Sequence, residues 1–273
     1  VRAMRKLLRA NFFCLRKSKA FWCSAALAFV FTAVYLLRSP GGEDAMPLDT
    51  ALTQVYPFLP ILHAAFLSLF LGLEYQDGTL RNKCIAGHSR AAIYGAYFLT
   101  ATAGCFFIVL AWLLGGLASV PKLGWFTFPA LQLAKTAALI LAMTAAISAI
   151  LTLVCMLLPN RAASAVTCLL LVLGLIVLAS FCYNALCEPQ FASGAVITSS
   201  GFVVGDEAPN PDYVSGALRQ VYQAIVHILP TGQAILLANE ELTHPLAALA
   251  ASLVITLATC GCGLGLFERK DLK

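Results

Sequence analysis

The sequence carries very little charge for its length. Only 11% of its 273 residues are Asp, Glu, Lys or Arg, whereas 60% are hydrophobic and the mean hydropathy is +0.84. Soluble domains contain about 25% charged residues, and so few charges cannot cover a water-exposed surface of this size. A soluble enzyme, a disordered chain and a nucleic-acid-binding protein are therefore poor interpretations, and we expect no nucleic-acid partner despite the net charge of +5.

The sequence also lacks the motifs of several enzyme classes. It contains no G-x-x-x-x-G-K-[ST] phosphate loop, no H-E-x-x-H, no G-x-S-x-G and no EF-hand loop. We predict no catalytic residue, no metal site and no directly bound cofactor, so the chain is not expected to be an enzyme. His63 lies inside an apolar run, and an ionisable group at membrane depth indicates a pathway or a helix interface. The alternative is a neutral imidazole bonded to a neighbouring helix.

Ten cysteines do not predict a disulfide framework, because most of them lie in apolar runs and act there as small hydrophobic side chains. A bridge between Cys182 and Cys187 stays open. Cys260 and Cys262 have no partner pair at zinc-ligand spacing.

Six apolar runs are long enough to cross a membrane, which takes about 20 residues. They are continuous rather than alternating, so helices are predicted and barrel strands are not. We expect an all-α polytopic membrane protein, a single transmembrane domain over residues 1–273. Since no small-x-small cleavage site precedes Arg38, the first run is expected to be retained. The runs cover residues 20–37, 55–73, 94–118, 136–159, 162–186 and 246–267.

The basic residues predict the orientation. With a cytoplasmic N-terminus, fourteen of the eighteen bases and four of the thirteen acids lie on the cytoplasmic side, as the positive-inside rule requires. Both termini are then cytoplasmic, and the protein is expected in the cell (plasma) membrane as a multi-pass protein. Residues 4–19, with Leu7, Leu8, Phe12 and Leu15 between bases, predict an amphipathic helix on the inner leaflet.

The cytosolic loop 74–93 predicts a short helix of its own. Asp77 and Gly78 form a turn pair, Thr79 is expected to cap the following residues, and Gly87 to terminate a helix over 80–86. Ser89 is expected to cap the third span. Leu80, Cys84 and Ile85 give this helix an apolar side, with Arg81 and Lys83 polar. A separately capped helix suits the docking of a cytosolic partner.

The outer loop 187–245 is predicted to begin as an irregular loop over 193–212, which is rich in Gly, Ser, Pro and Asn. An amphipathic helix over 215–229 follows, then a break at Pro230 and a second short helix over 233–239. Gly261 and Gly265 allow close helix packing, within the chain or between subunits.

Several motifs resemble the permease subunits of bacterial type-2 ABC exporters, including the bacitracin- and lantibiotic-immunity permeases. The resemblance rests on the order and spacing of these motifs along the chain. They are Arg5-Lys6-Leu7-Leu8, Glu74-x-x-x-Gly78-Thr79-Leu80-Arg81-Asn82-Lys83, Gly87-x-Ser89-Arg90, Pro230-Thr231-Gly232-Gln233 and Gly265-x-Phe267-x-Arg269-Lys270-Asp271.

The resemblance implies a separate cytosolic ABC subunit that binds ATP and Mg²⁺, and a second permease, identical or related. Residues 79–86 would be the coupling helix, 4–19 the connecting helix, and the helices over 215–239 would cap the pathway. Charge reversal at Arg81 and Lys83 would then uncouple ATP turnover from transport. The cargo stays open among an antimicrobial peptide, a lipid-linked molecule, a drug and an ion, with amphipathic or hydrophobic cargo favoured. The ATPase-docking residues implied are Glu74, Asp77, Gly78, Thr79, Leu80, Arg81, Asn82, Lys83, Ile85, Gly87, Ser89 and Arg90.

Two alternatives belong to other classes. One is an accessory or sensory polytopic membrane protein without an ATPase partner. The other is an intramembrane enzyme that uses His63.

Overall fold

The protein is helical over almost all of the chain that the computed structural model describes, which is residues 2–40, 46–198 and 201–270. Asp271 and Lys273, which the sequence placed on the cytoplasmic side, lie outside the described residues. The elements in chain order are α1 (Arg2–Lys17), α2 (Lys19–Arg38), α3 (Leu48–Val55), a 3₁₀ turn (Tyr56–Phe58), α4 (Leu59–Gln76), α5 (Thr79–Ile85), α6 (Arg90–Leu117), α7 (Val120–Leu123), α8 (Ala130–Leu157), α9 (Arg161–Cys187), β1 (Phe191–Thr198), β2 (Gly201–Pro209), α10 (Gly216–Ile228), α11 (Pro230–Ala238) and α12 (Pro245–Arg269).

The six predicted spans are confirmed as six helical segments long and apolar enough to cross a membrane. The second begins at Leu48 rather than at residue 55, because α3, the 3₁₀ turn and α4 follow one another without a gap. Pro57 and Pro60 occupy the starts of the 3₁₀ turn and of α4, where a missing N–H costs no hydrogen bond. The prolines therefore mark a joint inside the span and not its beginning.

Helices α4, α6 and α8 form the centre of the bundle. Phe66 of α4 stacks on Phe70 and lies edge-on to Phe21 of α2. Helix α9 packs on α4, and α12 packs on α8, but both leave most of their apolar side chains exposed. One end of the bundle carries α5 and is called the α5 end, whereas the opposite end, which carries α7, is called the α7 end.

Helix α1 lies beside α6 at the α5 end, as the amphipathic pattern predicted. Leu7, Asn11 and Leu15 are buried along one side, while Phe12 is exposed. Ser18 separates α1 from the first span, and its hydroxyl accepts a hydrogen bond from the Phe21 N–H. This cap ends the basic helix and starts the apolar one.

The predicted irregular loop over 193–212 is wrong in part. Strands β1 and β2 pair antiparallel from Phe191 opposite Pro209 to Thr198 opposite Gly201, with an irregularity between Ser193 and Ala195. Glycine and serine suggested a loop, but both strands also carry runs of β-branched and aromatic residues, which favour extended pairing.

The two helices that precede the last span bend by 89° at Leu229, as the predicted break at Pro230 requires. The second helix begins earlier than the predicted residue 233, with Pro230 in its first turn. The Gln233 side-chain amide donates to the carbonyl oxygens of His227 (2.9 Å) and Ile228 (3.2 Å) and so satisfies the end of α10. Its Oε1 accepts from the Ser252 hydroxyl of α12 at 2.7 Å.

Gly232 lets the two helices meet at this bend. A Cβ atom at this position would lie 2.4 Å from the Val226 carbonyl oxygen and 2.6 Å from the Val226 Cα. Both are backbone atoms and cannot rotate away. We therefore expect Gly232→Ala to destabilise the protein by about 1–3 kcal/mol, the usual cost of overpacking.

Gly261→Ala is the matched control, because a Cβ at residue 261 meets no atom within 4 Å. The measurement is the thermal unfolding midpoint of each purified variant in the same detergent. Equal midpoints for the two variants would refute the close contact at Gly232.

Candidate coupling site

Helix α5 is a two-turn helix with its own start and stop. It begins after Gly78, whose φ of 65° lies in the left-handed region, and Asp77 and Gly78 form the predicted turn. It ends at Gly87 (φ 85°), where the Gly87 N–H donates to the Cys84 carbonyl and the His88 N–H to that of Lys83. This is the Schellman arrangement, in which a residue with a left-handed backbone terminates the helix. The predicted stop is confirmed.

The cap predicted for Thr79 is wrong, and the one predicted for Ser89 is confirmed. Thr79 is the first helical residue, and no side chain caps α5 at its start. The turn at Gly78 provides the entry instead. The Ser89 hydroxyl accepts a hydrogen bond of 3.3 Å from the Ala92 N–H and caps α6, which begins at Arg90.

The two sides of α5 differ from the predicted ones. Leu80 is buried and Lys83 is only 13% exposed, so these two residues face the bundle. Ile85, predicted on the apolar side with Leu80, is 74% exposed. The exposed face of α5 consists of Arg81, Asn82, Ile85 and Ala86.

Lys83 lies in a buried polar cluster with Glu74, Tyr97 and Asn11. Its Nζ donates to Glu74 Oε2 at 3.3 Å, to Asn11 Oδ1 at 2.9 Å and to the Tyr97 hydroxyl, which in turn donates to Glu74 Oε2. The ammonium also lies over the Tyr97 ring, 4.2 Å from its centroid. Four elements, α1, α4, α5 and α6, thus meet at one cation.

The electrostatics of the cluster favour a fixed geometry. Glu74 and Lys83 form an ion pair at the α5 end of the bundle, and Glu74, Tyr97 and Asn11 are all buried. A buried ion pair loses hydration, and it is stable only when hydrogen bonds satisfy the remaining polar atoms. Here Tyr97 and Asn11 provide those bonds, so α5 is held at a defined position.

Arg90 and Lys270 tie the last span to the same end. Arg90 Nη1 donates to the Glu268 carbonyl oxygen at 2.8 Å and to that of Lys270, at the end of α12. Lys270 Nζ donates to the Tyr75 hydroxyl (2.8 Å) and to the Met156 carbonyl oxygen (3.1 Å). Partial burial lowers the pKa of the Lys270 ammonium. Cations at helix C-termini are favourable because they meet the negative end of the helix dipole.

His63 lies apart from this site, in the second turn of α4 and near the middle of the second span, Leu48–Gln76. It is 1% exposed, and neither ring nitrogen has a hydrogen-bond partner among the described residues. No hydrogen bond of good geometry to a neighbouring helix is present in this part of the chain, although the Cys105 backbone of α6 lies close to the ring. A buried polar atom without a hydrogen-bond partner destabilises the folded protein, so such an atom indicates either a bound water or a functional role.

The structure brings the predicted docking residues together but divides them by role. Glu74, Leu80, Lys83 and Arg90 point into the bundle or bind another helix, whereas the others lie at the turns or on the exposed face. Between α1 and α5 lies a cavity of about 250 Å³, whose walls include Lys6, Ala10, Thr79, Asn82 and His88.

Sequence reasoning missed Asn11, Tyr75 and Tyr97 as members of this end. Asn11 interrupts an otherwise apolar stripe of α1 at the spacing of Leu7 and Leu15, and that polar exception was an available signal. Tyr75 and Tyr97 lie in apolar helices, where nothing in the local sequence distinguishes them from packing residues.

Lys83→Met is expected to destabilise the protein by about 3–5 kcal/mol, because it leaves the Glu74 carboxylate buried without its cation. Arg81→Met is the matched control: it removes the same charge type from an exposed position that makes no hydrogen bond among the described residues, and should change stability by at most about 0.5 kcal/mol. The measurement is the free energy of unfolding in mixed detergent micelles.

The double variant Glu74→Gln/Lys83→Met tests the pairing itself. It should recover part of the loss, because no charge then remains buried alone. Equal, small losses of stability in Lys83→Met and Arg81→Met would show that Lys83 is not part of a buried pair.

A family model described as ABC-2 family transporter protein matches residues 7–177, which include most of α1, all of α2 through α8 and most of α9. A search of curated proteins finds no match. The match covers more than half of the chain and contains α5 with Glu74, Lys83, Tyr97 and Asn11, so this protein belongs to the ABC-2 family of membrane transporter proteins.

Proposed function

We propose that this chain is the transmembrane subunit of an ATP-driven exporter and that the exposed face of α5 docks on a separate cytosolic ABC ATP-binding subunit. ATP and Mg²⁺ would bind that subunit. The observation that carries the proposal is the division of α5: one side is fixed to the bundle by Leu80 and Lys83, while Arg81, Asn82 and Ile85 are exposed. An exposed isoleucine beside an arginine is the composition of an interface anchor.

The buried cluster gives such a docking helix a mechanical role. When the ATP-binding subunits close, a force on α5 passes through Lys83 to Glu74 of α4, Tyr97 of α6 and Asn11 of α1. Helices α4 and α6 belong to the packed centre and α1 packs on α6, so the three move as a body rather than bend one by one. Access to the pathway would alternate with that rotation.

The orientation follows from the charges. The bases Arg5, Lys6, Arg81, Arg90 and Arg161 lie at the α5 end, and this excess supports the proposal that the α5 end and both termini are cytoplasmic in a multi-pass plasma-membrane protein.

A second permease, identical or related, would complete the pathway. Helices α9 and α12 offer broad apolar faces, and Gly261 and Gly265 meet no atom within 4 Å in the described part of the chain. Small residues on an exposed helix allow close approach of another helix. The cargo we propose is an amphipathic or hydrophobic molecule, such as an antimicrobial peptide, because the helices carry few charges within their spans.

The docking is tested by co-expression of the chain with a candidate ABC ATP-binding subunit from the same genome. Arg81→Glu and Ile85→Asp should lower the co-purified subunit by about tenfold, since loss of one interface anchor costs more than about 1 kcal/mol. ATP hydrolysis by the complex should lose its response to cargo.

Arg38→Glu is the control, a charge reversal at an exposed arginine of the α7 end. Thermal midpoints of all variants must match that of the wild type. Co-purification that survives both α5 variants would remove α5 from the interface. Failure of the wild type to bind any ATP-binding subunit would favour the accessory or sensory alternative.

The role of His63 is tested by His63→Leu, which removes both unpartnered nitrogens and keeps an apolar side chain of similar size. If His63 is only a packed residue, export and expression stay near wild type, and stability rises slightly because no polar atom is buried without a partner. Abolished export with an unchanged thermal midpoint would assign His63 to the pathway, or to an intramembrane reaction if a product accumulates.

A further inference from the structure

Two cavities flank the first turns of α8 at the α7 end. One has a volume of about 380 Å³ and lies between α3, α6 and α8. The other has about 480 Å³ and lies between α3, α8, α11 and the start of α12. Both fall within the size range of small-molecule sites. Thr53, Phe128 and Thr136 line both cavities, so the two are neighbours across one wall.

The first cavity is almost wholly apolar. Its walls include Leu52, Phe106, Val109, Leu133 and Leu141. Asp49 is its acidic residue, but that carboxylate already accepts hydrogen bonds from the backbone N–H groups of Thr127 and Phe128 and from the Thr127 hydroxyl. The cavity therefore suits a hydrocarbon chain.

The second cavity has charges of both signs. Lys135 and Glu240 line it together with Gln132. Lys135 is exposed and has no hydrogen bond or ion pair among the described residues, so its ammonium is available to a ligand. The Glu240 carboxylate accepts a hydrogen bond of 2.5 Å from the Thr50 hydroxyl and makes no ion pair in that part of the chain.

The backbone at Glu240 forms the Schellman stop of α11, in which the Glu240 N–H donates to the Leu237 carbonyl oxygen (3.3 Å) and the Glu241 N–H to that of Leu236 (2.9 Å). Its φ of 60° makes it the non-glycine residue with a left-handed backbone in the described chain. This conformation places the carboxylate at the cavity, where Thr50 fixes one oxygen.

Taken together, the pair of cavities matches an amphiphile with one anionic and one cationic group in its head. A phosphate would bind Lys135 and the Gln132 amide, an ammonium would donate to Glu240, and a hydrocarbon chain would enter the apolar cavity. A purely anionic head would face the Glu240 carboxylate, and a quaternary ammonium has no N–H to donate to it.

We propose that these two cavities bind one phospholipid with a primary-amine head group, of the phosphatidylethanolamine class, from the membrane leaflet at the α7 end. The site is distinct from α5, and its occupation does not require an ATP-binding subunit.

The test uses the full-length chain, purified in detergent, stripped of lipid and then offered phosphatidylethanolamine, phosphatidylcholine or phosphatidylglycerol with identical acyl chains. Native mass spectrometry counts the lipids retained. The wild type should retain one phosphatidylethanolamine per chain, with an affinity about tenfold above that for the other two lipids, the factor expected for one charge-assisted hydrogen bond.

Two head-group variants separate the two charges. Glu240→Gln should remove the preference for phosphatidylethanolamine over phosphatidylcholine, and Lys135→Gln should weaken all three lipids by about tenfold. Both residues are exposed, so both variants should keep the wild-type thermal midpoint. Arg38→Gln, a charge removed at the same end outside both cavities, should change nothing.

A chain variant tests the apolar cavity. Leu141→Trp adds volume to its wall and should weaken every diacyl lipid regardless of head group. Equal retention of the three lipids by the wild type, or unchanged retention in all cavity variants, would show that bound lipid only coats the apolar surface and would overturn the site. A lipid-free dimer linked through cysteines placed at residues 131 and 135 would assign these cavities to a second copy instead.

Discussion

The buried pair of Glu74 and Lys83 is the interaction on which the α5 end depends. A helix of seven residues is too short to be stable by its own hydrogen bonds. Helix α5 gains its position from Leu80, from the Schellman stop at Gly87 and from one ammonium that binds three side chains on three other helices. Since a buried charge tolerates few alternative geometries, the pair gives α5 a defined orientation more than it gives the bundle stability.

A second set of cations closes the same end of the bundle around the helix termini. Arg90 binds the last carbonyl groups of α12, and Lys270 binds the end of α8 through the Met156 carbonyl oxygen. Tyr75 joins these contacts from α4. The α5 end is thus held by hydrogen bonds that involve ions, whereas α9 and α12 are otherwise held by apolar packing with wide exposed faces. If the helices move as rigid bodies, the apolar contacts of α9 and α12 are therefore expected to rearrange before the hydrogen bonds at the α5 end break.

Much of the fold could be predicted from sequence, because a membrane span leaves a long and continuous signal. Apolar length located all six spans, and the positive φ that glycine allows located the stop at Gly87. The faces of α5 could not be predicted. Lys83 appears polar and exposed from its neighbours alone, and it is turned inward by Glu74, by Asn11, 72 residues away, and by Tyr97. The hairpin of β1 and β2 was missed because its glycines outweighed its β-branched residues.

The motif Pro230-Thr231-Gly232-Gln233 connects α11, at the α7 end of the bundle, to helices α9 and α12. Gln233 binds Ser252 of α12, and the Thr231 hydroxyl donates to the Leu175 carbonyl oxygen of α9. About 26 Å of helix separate Ser252 from Arg269, whose neighbours are held by Arg90. On the proposed mechanism, a displacement of α6 by α5 moves the end of α12, and α12 carries that displacement to α11. The bend between α10 and α11 is then the element of the α7 end that responds first, since Gly232 places two backbones in direct contact there.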